Sequence, residues 1–214
     1  MIDVAILNFN MGNLFSIKCA LNYVGLKSIV TDDFEVIKNS KSLIIPGVGA
    51  FPEAMKRLKE KKLDSAIYDC NEKGKIIVGI CLGMQLLFSE SNEIKKTKGL
   101  NLIEGEVEKF SEKINSNTKA SFNVGWNKIK TKKFKKNSSY VSDLDKKDMY
   151  FIHSYYVKPR IQDIKTSTSF FYKKEFISSV KKDHIQGFQF HPEKSGECGI
   201  QIYKKLKINL ENKK

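Results

Sequence analysis

Ile76-Ile77-Val78-Gly79-Ile80-Cys81-Leu82-Gly83-Met84-Gln85-Leu86-Leu87-Phe88 carries the organising feature of the chain and its candidate chemistry in one stretch. Residues 76–80 are apolar apart from one glycine and read as a strand buried on both faces, as in a parallel sheet. The run passes without a spacer into Cys81-Leu82-Gly83 and a helical segment at 84–88. Gly79-Ile80-Cys81-Leu82-Gly83 has the G-x-nucleophile-x-G form of a nucleophile elbow, with cysteine in place of serine. Glycines two residues to either side permit a sharp strand-to-helix turn that holds the thiol above the sheet. The helix start then sets positive potential and N–H groups beside the sulfur, which favours thiolate. Taken alone, the motif is equally well explained by a structural cysteine after a core strand.

Upstream, short apolar runs alternate with helical patterns, the signature of a parallel sheet with crossover helices. Residues 2–7 read as a strand, and Asn13 can cap a helix with Leu14, Ile17, Leu21 and Val24 on one face and Gly25 as its stop. A second strand at 28–30 is followed by a helix from Asp33. A third strand at 43–45 ends at Pro46-Gly47-Val48-Gly49, and Pro52 suits the first turn of the next helix. Leu63, Ala66, Ile67 and Cys70 mark a further helix that ends at Gly74. From about Gly99 the texture turns β-branched and aromatic, predicting strands at 107–110, 124–129, 150–157, 167–172 and 176–180 in a second, largely antiparallel layer. The lysine-rich stretch 131–147 reads as an exposed loop, and a final helix has Ile200, Tyr203 and Leu206 on one face. Without a repeat or linker, residues 1–214 are expected to form one α/β domain.

Composition narrows the function. The formal charge of +14 invites a nucleic-acid reading, but Arg57 and Arg160 are the only arginines, and the excess is lysine spread along the chain. Bidentate phosphate and base readers use the arginine fork, so a solvated lysine surface is the better account and no nucleic-acid partner is expected. Nowhere does an apolar run reach the roughly 18 residues needed to cross a bilayer, and the first residues lack a basic leader. A soluble cytoplasmic chain that keeps its N-terminus is expected. Cysteines 19, 70, 81 and 198 are scattered, without C-x-x-C or zinc spacing, which predicts free thiols and no metal or cofactor.

Gln189-Phe190-His191-Pro192-Glu193 supplies what the elbow needs. In an extended segment positions two apart share a side, so Glu193 can orient the imidazole of His191 while its other nitrogen faces a thiol. A turn histidine before proline with a surface glutamate is the plainer alternative. The glycines of Pro46-Gly47-Val48-Gly49 let main-chain N–H groups approach a reacting carbonyl, with Gly49 as one oxyanion donor and the N–H of Leu82 as the other. By itself that string is also an ordinary glycine turn.

Together these segments resemble the class I (triad) glutamine amidotransferases. The likeness runs through Met11-Gly12-Asn13-Leu14, Pro46-Gly47-Val48-Gly49-Ala50-Phe51, the elbow and its helix, Gly125-Trp126-Asn127, Phe151-Ile152-His153-Ser154-Tyr155-Tyr156 and Gln189 to Ser195. The strings around Gly49, Trp126, Tyr155 and Lys194 point within the class to the histidine-pathway glutaminase subunits. The resemblance implies a flavodoxin-like, mostly parallel sheet flanked by helices, with an added antiparallel β layer. It implies that Cys81 attacks the carboxamide of L-glutamine, that His191 moves the protons and that Glu193 holds the imidazole. Gln85, Glu93 and the main chain of Ser154 and Tyr155 match substrate-binding positions. Asn13, Asn123, Trp126, Tyr150 and Lys194 match positions facing a synthase (cyclase) subunit, a (βα)8 barrel that forms a heterodimer and turns the ammonia into imidazole glycerol phosphate.

Two departures stand out: Asn8-Phe9-Asn10 replaces the usual aspartate-tyrosine-glycine, and Asn123 replaces a histidine. Both suit a paralogue that supplies ammonia for amidation of a bacterial surface sugar. A cysteine peptidase leaves Gln85 and the Pro-Gly-Val-Gly string unexplained, and an inactive scaffold conflicts with an intact Cys81, His191 and Glu193.

Overall fold

The computed structural model describes residues 2–113, 119–131, 139–161 and 164–212, with backbone alone at 112–113 and 119–120. Strands β1 (Val4–Leu7), β2 (Ser28–Thr31), β3 (Ser42–Ile45) and β4 (Ile76–Ile80) lie parallel, β1 between β2 and β3, and β3 against β4. β1, β3 and β4 are buried at every position, which is why their sequences run apolar instead of alternating. Alternate side chains feed two cores. Val4, Ile6, Ile44 and Val78 pack with α1 (Leu14–Tyr23) and α6 (Gly196–Glu211), whereas Leu7, Leu43, Ile45 and Ile77 pack with α3 (Phe51–Glu60) and α4 (Leu63–Glu72). The caps are local chemistry: Asn13 Oδ1 accepts from the Ser16 N–H at 3.4 Å at the head of α1, and Asp33 Oδ1 accepts from Val36 at 3.0 Å at the head of α2 (Phe34–Asn39).

The helix after Cys81 is shorter than its apolar run suggests. α5 spans Leu82–Leu86, and Phe88 opens β5 (Phe88–Ser91). The cause is tertiary: the N–H groups of Leu100 and Leu102 take up the carbonyls of Leu86 and Leu87. β5 lies between β6 (Thr97–Lys98) and β7 (Ile103–Lys109). Short β8 (Glu112–Lys113) pairs with β9 (Lys119–Ala120), and β10 (Asn123–Lys128) pairs antiparallel with β11 (Asp148–His153). The single strand expected at 150–157 is two, broken at Ser154: β12 (Tyr155–Pro159) leaves β11 to join the β12-β7-β5-β6 sheet.

The expected antiparallel layer stands in β7, β10, β11 and β12, which pair antiparallel outside the main sheet, but the strands expected at 167–172 and 176–180 lie elsewhere. β13 (Lys165–Phe171), β14 (Lys174–Lys182) and β15 (Ile185–Phe188) extend the main sheet, whose order is β13-β14-β15-β4-β3-β1-β2. β15 runs parallel to β4, with Phe188 opposite Ile80. Its Gln186-Gly187 pair hides it from an apolar-run reading, although all four residues are buried. Within the stretch expected to be one exposed loop, residues 132–138 lie outside the described residues, while Ser139, Tyr140, Val141 and Leu144 are buried. Three apolar side chains among the lysines are enough to pull that part into the core. α6 buries Gly199, Ile202, Tyr203, Leu206 and Leu210, with Ile200 at the edge of that face.

Candidate active site

Cys81 sits between β4 and α5 with φ 53° and ψ −111°, a conformation that costs an ordinary residue on the order of 1–3 kcal/mol. The surroundings enforce it. The Cys81 N–H donates to the Phe188 carbonyl at 2.7 Å, tying the turn to the end of β15. A side chain at Gly79 would meet the Gly83 carbonyl oxygen at 2.7 Å, and one at Gly83 would collide with the Ile45 carbonyl. Both glycines of the motif are therefore required by close backbone approach, and the elbow is tight enough to aim the thiol.

β15 delivers the second element. Because Phe188 ends opposite Ile80, the chain continuing through Gln189 and Phe190 brings His191 up beside Cys81. The His191 N–H donates to the Tyr150 carbonyl at 2.9 Å, and Ser195 Oγ donates to the His191 carbonyl at 2.7 Å. Glu193 does not reach the ring along an extended segment, as the spacing suggests. Pro192–Lys194 forms a 3-10 turn that folds Glu193 back, so that His191 Nδ1 donates to Glu193 Oε1 at 2.8 Å. Both side chains are almost completely buried, at 3% and 1% exposure. Burial resists charge on the ring, but Cys81 and Glu193 together outweigh it and raise His191 to about 10. His191 Nε2 makes no hydrogen bond in this resting geometry, although Cys81 is near enough to act on its charge. Nε2 is thus the ring nitrogen left for the sulfur, since Nδ1 is spent on Glu193.

A cavity of about 320 Å³ opens in front of the thiol, and Gly49, Leu82, Gln85, Glu93, Ser154 and Tyr155 all line it. Gly49 has φ +100°, a conformation that leaves the position to glycine. Leu82 opens α5, so its N–H is among those a helix leaves without an internal partner. Glu93 Oε2 accepts from the Phe51 N–H at 2.7 Å at the head of α3. Burial pushes the Glu93 carboxyl up, with the Phe51 bond only partly offsetting it. Gln85 donates from Nε2 to the Tyr155 carbonyl at 3.0 Å and to Gln189 Oε1 at 3.2 Å, so its amide braces the cavity wall.

The sequence alone marks no role for His153, which also lines the cavity, or for Gln189, which is bonded to Gln85 in its wall. His153 Nδ1 donates to the Tyr155 carbonyl at 2.8 Å, so Nε2 is the acceptor for the Asn123 amide at 3.0 Å. Burial holds this ring down at about 3, and it is neutral. A histidine two residues before Tyr155, which is expected to face substrate, is the available signal.

Of the residues expected at a partner face, three cluster. Trp126, 55% exposed, pairs across strands with Tyr150, their rings 5.8 Å apart at 68°, and Lys194 Nζ lies 5.8 Å from the Tyr150 ring centre. Asn13 is half-buried and its side chain caps α1. Asn123 is turned inward and buried, a correction to its expected place on the surface; its neighbour Val124 and Trp126 face out instead. The reason is strand alternation, which sends Asn123 to His153.

Comparison with known proteins agrees with this geometry. A profile of the family "Glutamine amidotransferase class-I" matches residues 5–207. The imidazole glycerol phosphate synthase subunit HisH of Chlorobaculum tepidum is 39% identical over 202 residues, covering 94% of this chain and 97% of that protein. The subunit of the same name from Bacillus cytotoxicus is 41% identical over 205 residues, covering 95% and 93%. Among solved structures, PurLQS from Thermotoga maritima superposes with a TM-score of 0.73 at 18% identity over 98% of this chain and 99% of that one, a likeness of fold. The glutaminase domain of Trypanosoma brucei CTPS superposes with a TM-score of 0.69 at 12% identity over 99% and 94%. An elbow cysteine, a carboxylate-bound histidine beside it and a family match over nearly the whole length lead to one statement: the chain belongs to the class I glutamine amidotransferases.

Proposed function

We propose that this chain hydrolyses L-glutamine and supplies the ammonia to an imidazole glycerol phosphate synthase in histidine biosynthesis. The observation that carries the reading is Cys81 on its strained elbow beside a His191 that is bound to Glu193 at 2.8 Å. The Cys81 thiolate attacks the carboxamide carbon, forming the S–C bond. Collapse of the tetrahedral adduct breaks the C–N bond, and protonated His191 gives its Nε2 proton to the departing nitrogen, which leaves as ammonia. Water then adds to the thioester while neutral His191 takes its proton, which releases glutamate and restores thiolate and imidazolium. Main-chain N–H groups at Gly49 and Leu82 stabilise the oxyanion, and the wall of Gln85, Glu93, Ser154 and Tyr155 holds the amino-acid end. Glu193 keeps Nδ1 protonated, so that Nε2 is the nitrogen that works.

Relatives at about 40% identity over nearly the whole chain favour the histidine-pathway acceptor over a surface sugar. Their name, a synthase subunit, supports a barrel-type synthase as partner, docked at the Trp126, Tyr150 and Lys194 cluster. None of the described helices is long and apolar enough to cross a membrane, and cysteines 19, 70, 81 and 198 are unpaired, which fits work in the cytoplasm. Reconstitution with the synthase subunit tests the reading. Glutamine should support imidazole glycerol phosphate formation with the native chain and not with Cys81→Ala, while ammonium salt should support it with both. Glutamine-driven turnover by the Cys81→Ala complex would overturn it.

A further inference from the structure

Gln189 is fully buried, and its place is fixed from both sides: its N–H donates to the Ser178 carbonyl at 2.9 Å, and the preceding residue accepts from the Cys81 N–H. An amide side chain with no exposure must spend its donors and acceptor inside the protein. Its surroundings also settle which end is which. The Tyr155 carbonyl can only accept, so the Gln85 atom 3.0 Å from it is the NH2 group. That group also faces the Gln189 side chain at 3.2 Å, so the Gln189 atom there is the oxygen. The Gln189 NH2 group is left pointing at Cys81 Sγ, 3.9 Å away. One backbone carbonyl thus orients two buried amides in series and ends the series in an N–H aimed at sulfur.

A further polar group on that sulfur, besides His191, is the Ile152 carbonyl at 3.7 Å, which accepts a hydrogen bond from a thiol but repels a thiolate. The two contacts favour opposite states of Cys81. A donor and an acceptor both lie within reach of the sulfur, and the donor gains strength when charge appears.

We propose that Gln189 is a further catalytic residue, its side-chain N–H donating to Cys81 Sγ as the sulfur takes up negative charge. The proposal rests on Cys81 being the nucleophile. In this role Gln85 has two duties, since the amide that braces the substrate wall also sets the Gln189 donor. The binding cavity and the nucleophile are then coupled through a chain of two side chains.

Gln189→Glu tests this with little change of shape, because the carboxylate still accepts from Gln85 while the donor to sulfur is lost. Gln189→Met removes the donor without adding charge. Alkylation of Cys81 by iodoacetamide, followed across pH by peptide mapping, should be slower at neutral pH by roughly tenfold in Gln189→Met and by more in Gln189→Glu, with both profiles moved to higher pH. The kcat for glutamine in the reconstituted complex should fall in the same order. Alkylation profiles like that of the native chain in both folded variants would overturn the proposal. Because a buried change can impair folding, the native chain gives an independent reading. The Gln189 side-chain amide resonance should titrate together with Cys81 alkylation and cease to titrate in Cys81→Ala. A resonance indifferent to both would also overturn it. Failure of the nucleophile assignment is distinguishable, because it would leave glutaminase activity in Cys81→Ala, whereas failure of this proposal leaves that variant dead.

Discussion

Two buried histidines at the site, one acting on Cys81 and one in the wall of the cavity before it, are driven in opposite directions by their surroundings. His191 meets a carboxylate and a sulfur and is raised to about 10; His153 meets an amide and a carbonyl and is lowered to about 3. Burial penalises the charged ring in both. The difference is made by the charge around each ring: Glu193 and Cys81 favour the charged form of His191, whereas His153 bonds only the Asn123 amide and the Tyr155 carbonyl and faces the charge of His191. In the mechanism proposed above one ring carries a proton between atoms, and the other holds the cavity wall without titrating. Placement at the site does not separate the two roles, because His153 lines the cavity that Cys81 also lines and His191 acts on Cys81.

Removing the proton carrier or the nucleophile should break the comparison most severely. Cys81→Ala and His191→Ala should each lower glutamine-dependent kcat in the reconstituted complex by about 10⁶, the scale seen when a member of such a unit is deleted. Activity with ammonium salt should persist. Glu193→Gln should cost less, about 10⁴, since the base remains but loses its orientation and its countercharge. The same variant should bring the His191 titration down toward ordinary imidazole values by NMR. An unmoved titration would show that Cys81 alone holds it up.

Partner control comes next in size. The chain alone should hydrolyse glutamine about 10²–10³ more slowly than the complex with its acceptor bound, the cost of one missing oxyanion donor at the glycines of residues 46–49. The glycines allow a peptide there to turn an N–H toward or away from the oxyanion, and equal rates in both states would exclude such a rotation as the control. His153→Gln should be milder still. Losing the Nδ1 donor to the Tyr155 carbonyl should raise KM by roughly tenfold with kcat nearly kept. A fall in kcat at unchanged KM would move His153 from the wall into the proton chemistry.

Stability against pH separates the two rings with the smallest effect. His191 has a raised folded value, so its contribution is fully present below about pH 6.5 and is lost as pH rises through about 10. His153 has a depressed folded value, so its unfolded form takes up a proton first and stability falls as pH drops below about 6.5. Thermal melts should show the alkaline decline weakened in His191→Gln and the decline from about pH 6.5 to 5 weakened in His153→Gln. Parallel curves for the native chain and both variants would contradict the assigned partners.

The parallel half of the fold was legible because its signals are local. Strands buried on both faces write continuous apolar runs, and Asn13, Asp33 and Pro52 announce helix starts through side chains within a turn. β15 and the Phe88 strand were not legible in this way, since one is four residues with a glutamine and a glycine and the other continues a helical apolar run. Their state is decided by neighbours distant in sequence, β4 and the carbonyl partners at Leu100 and Leu102. The elbow was readable from its glycines. The contact between His191 and Glu193 was anticipated by the wrong local geometry, a strand where a 3-10 turn stands. Gln189 and His153 were in plain view yet unassigned, because only the folded arrangement shows what a buried amide or a neutral ring is facing.

The cysteines offer the most direct test of the central claim that Cys81 is the nucleophile of a glutaminase. Cys19 is exposed and Cys198 half-exposed, whereas Cys81 is buried at 6% and Cys70 is wholly buried, with burial pushing its thiol up. Accessibility alone would direct a reagent to Cys19. A chloroketone analogue of glutamine, mapped by mass spectrometry after reaction with the chain in its synthase complex, should add one equivalent at Cys81, and excess L-glutamine should prevent it. Labelling centred on Cys19 or Cys198, or labelling of Cys81 that glutamine does not slow, would contradict the account.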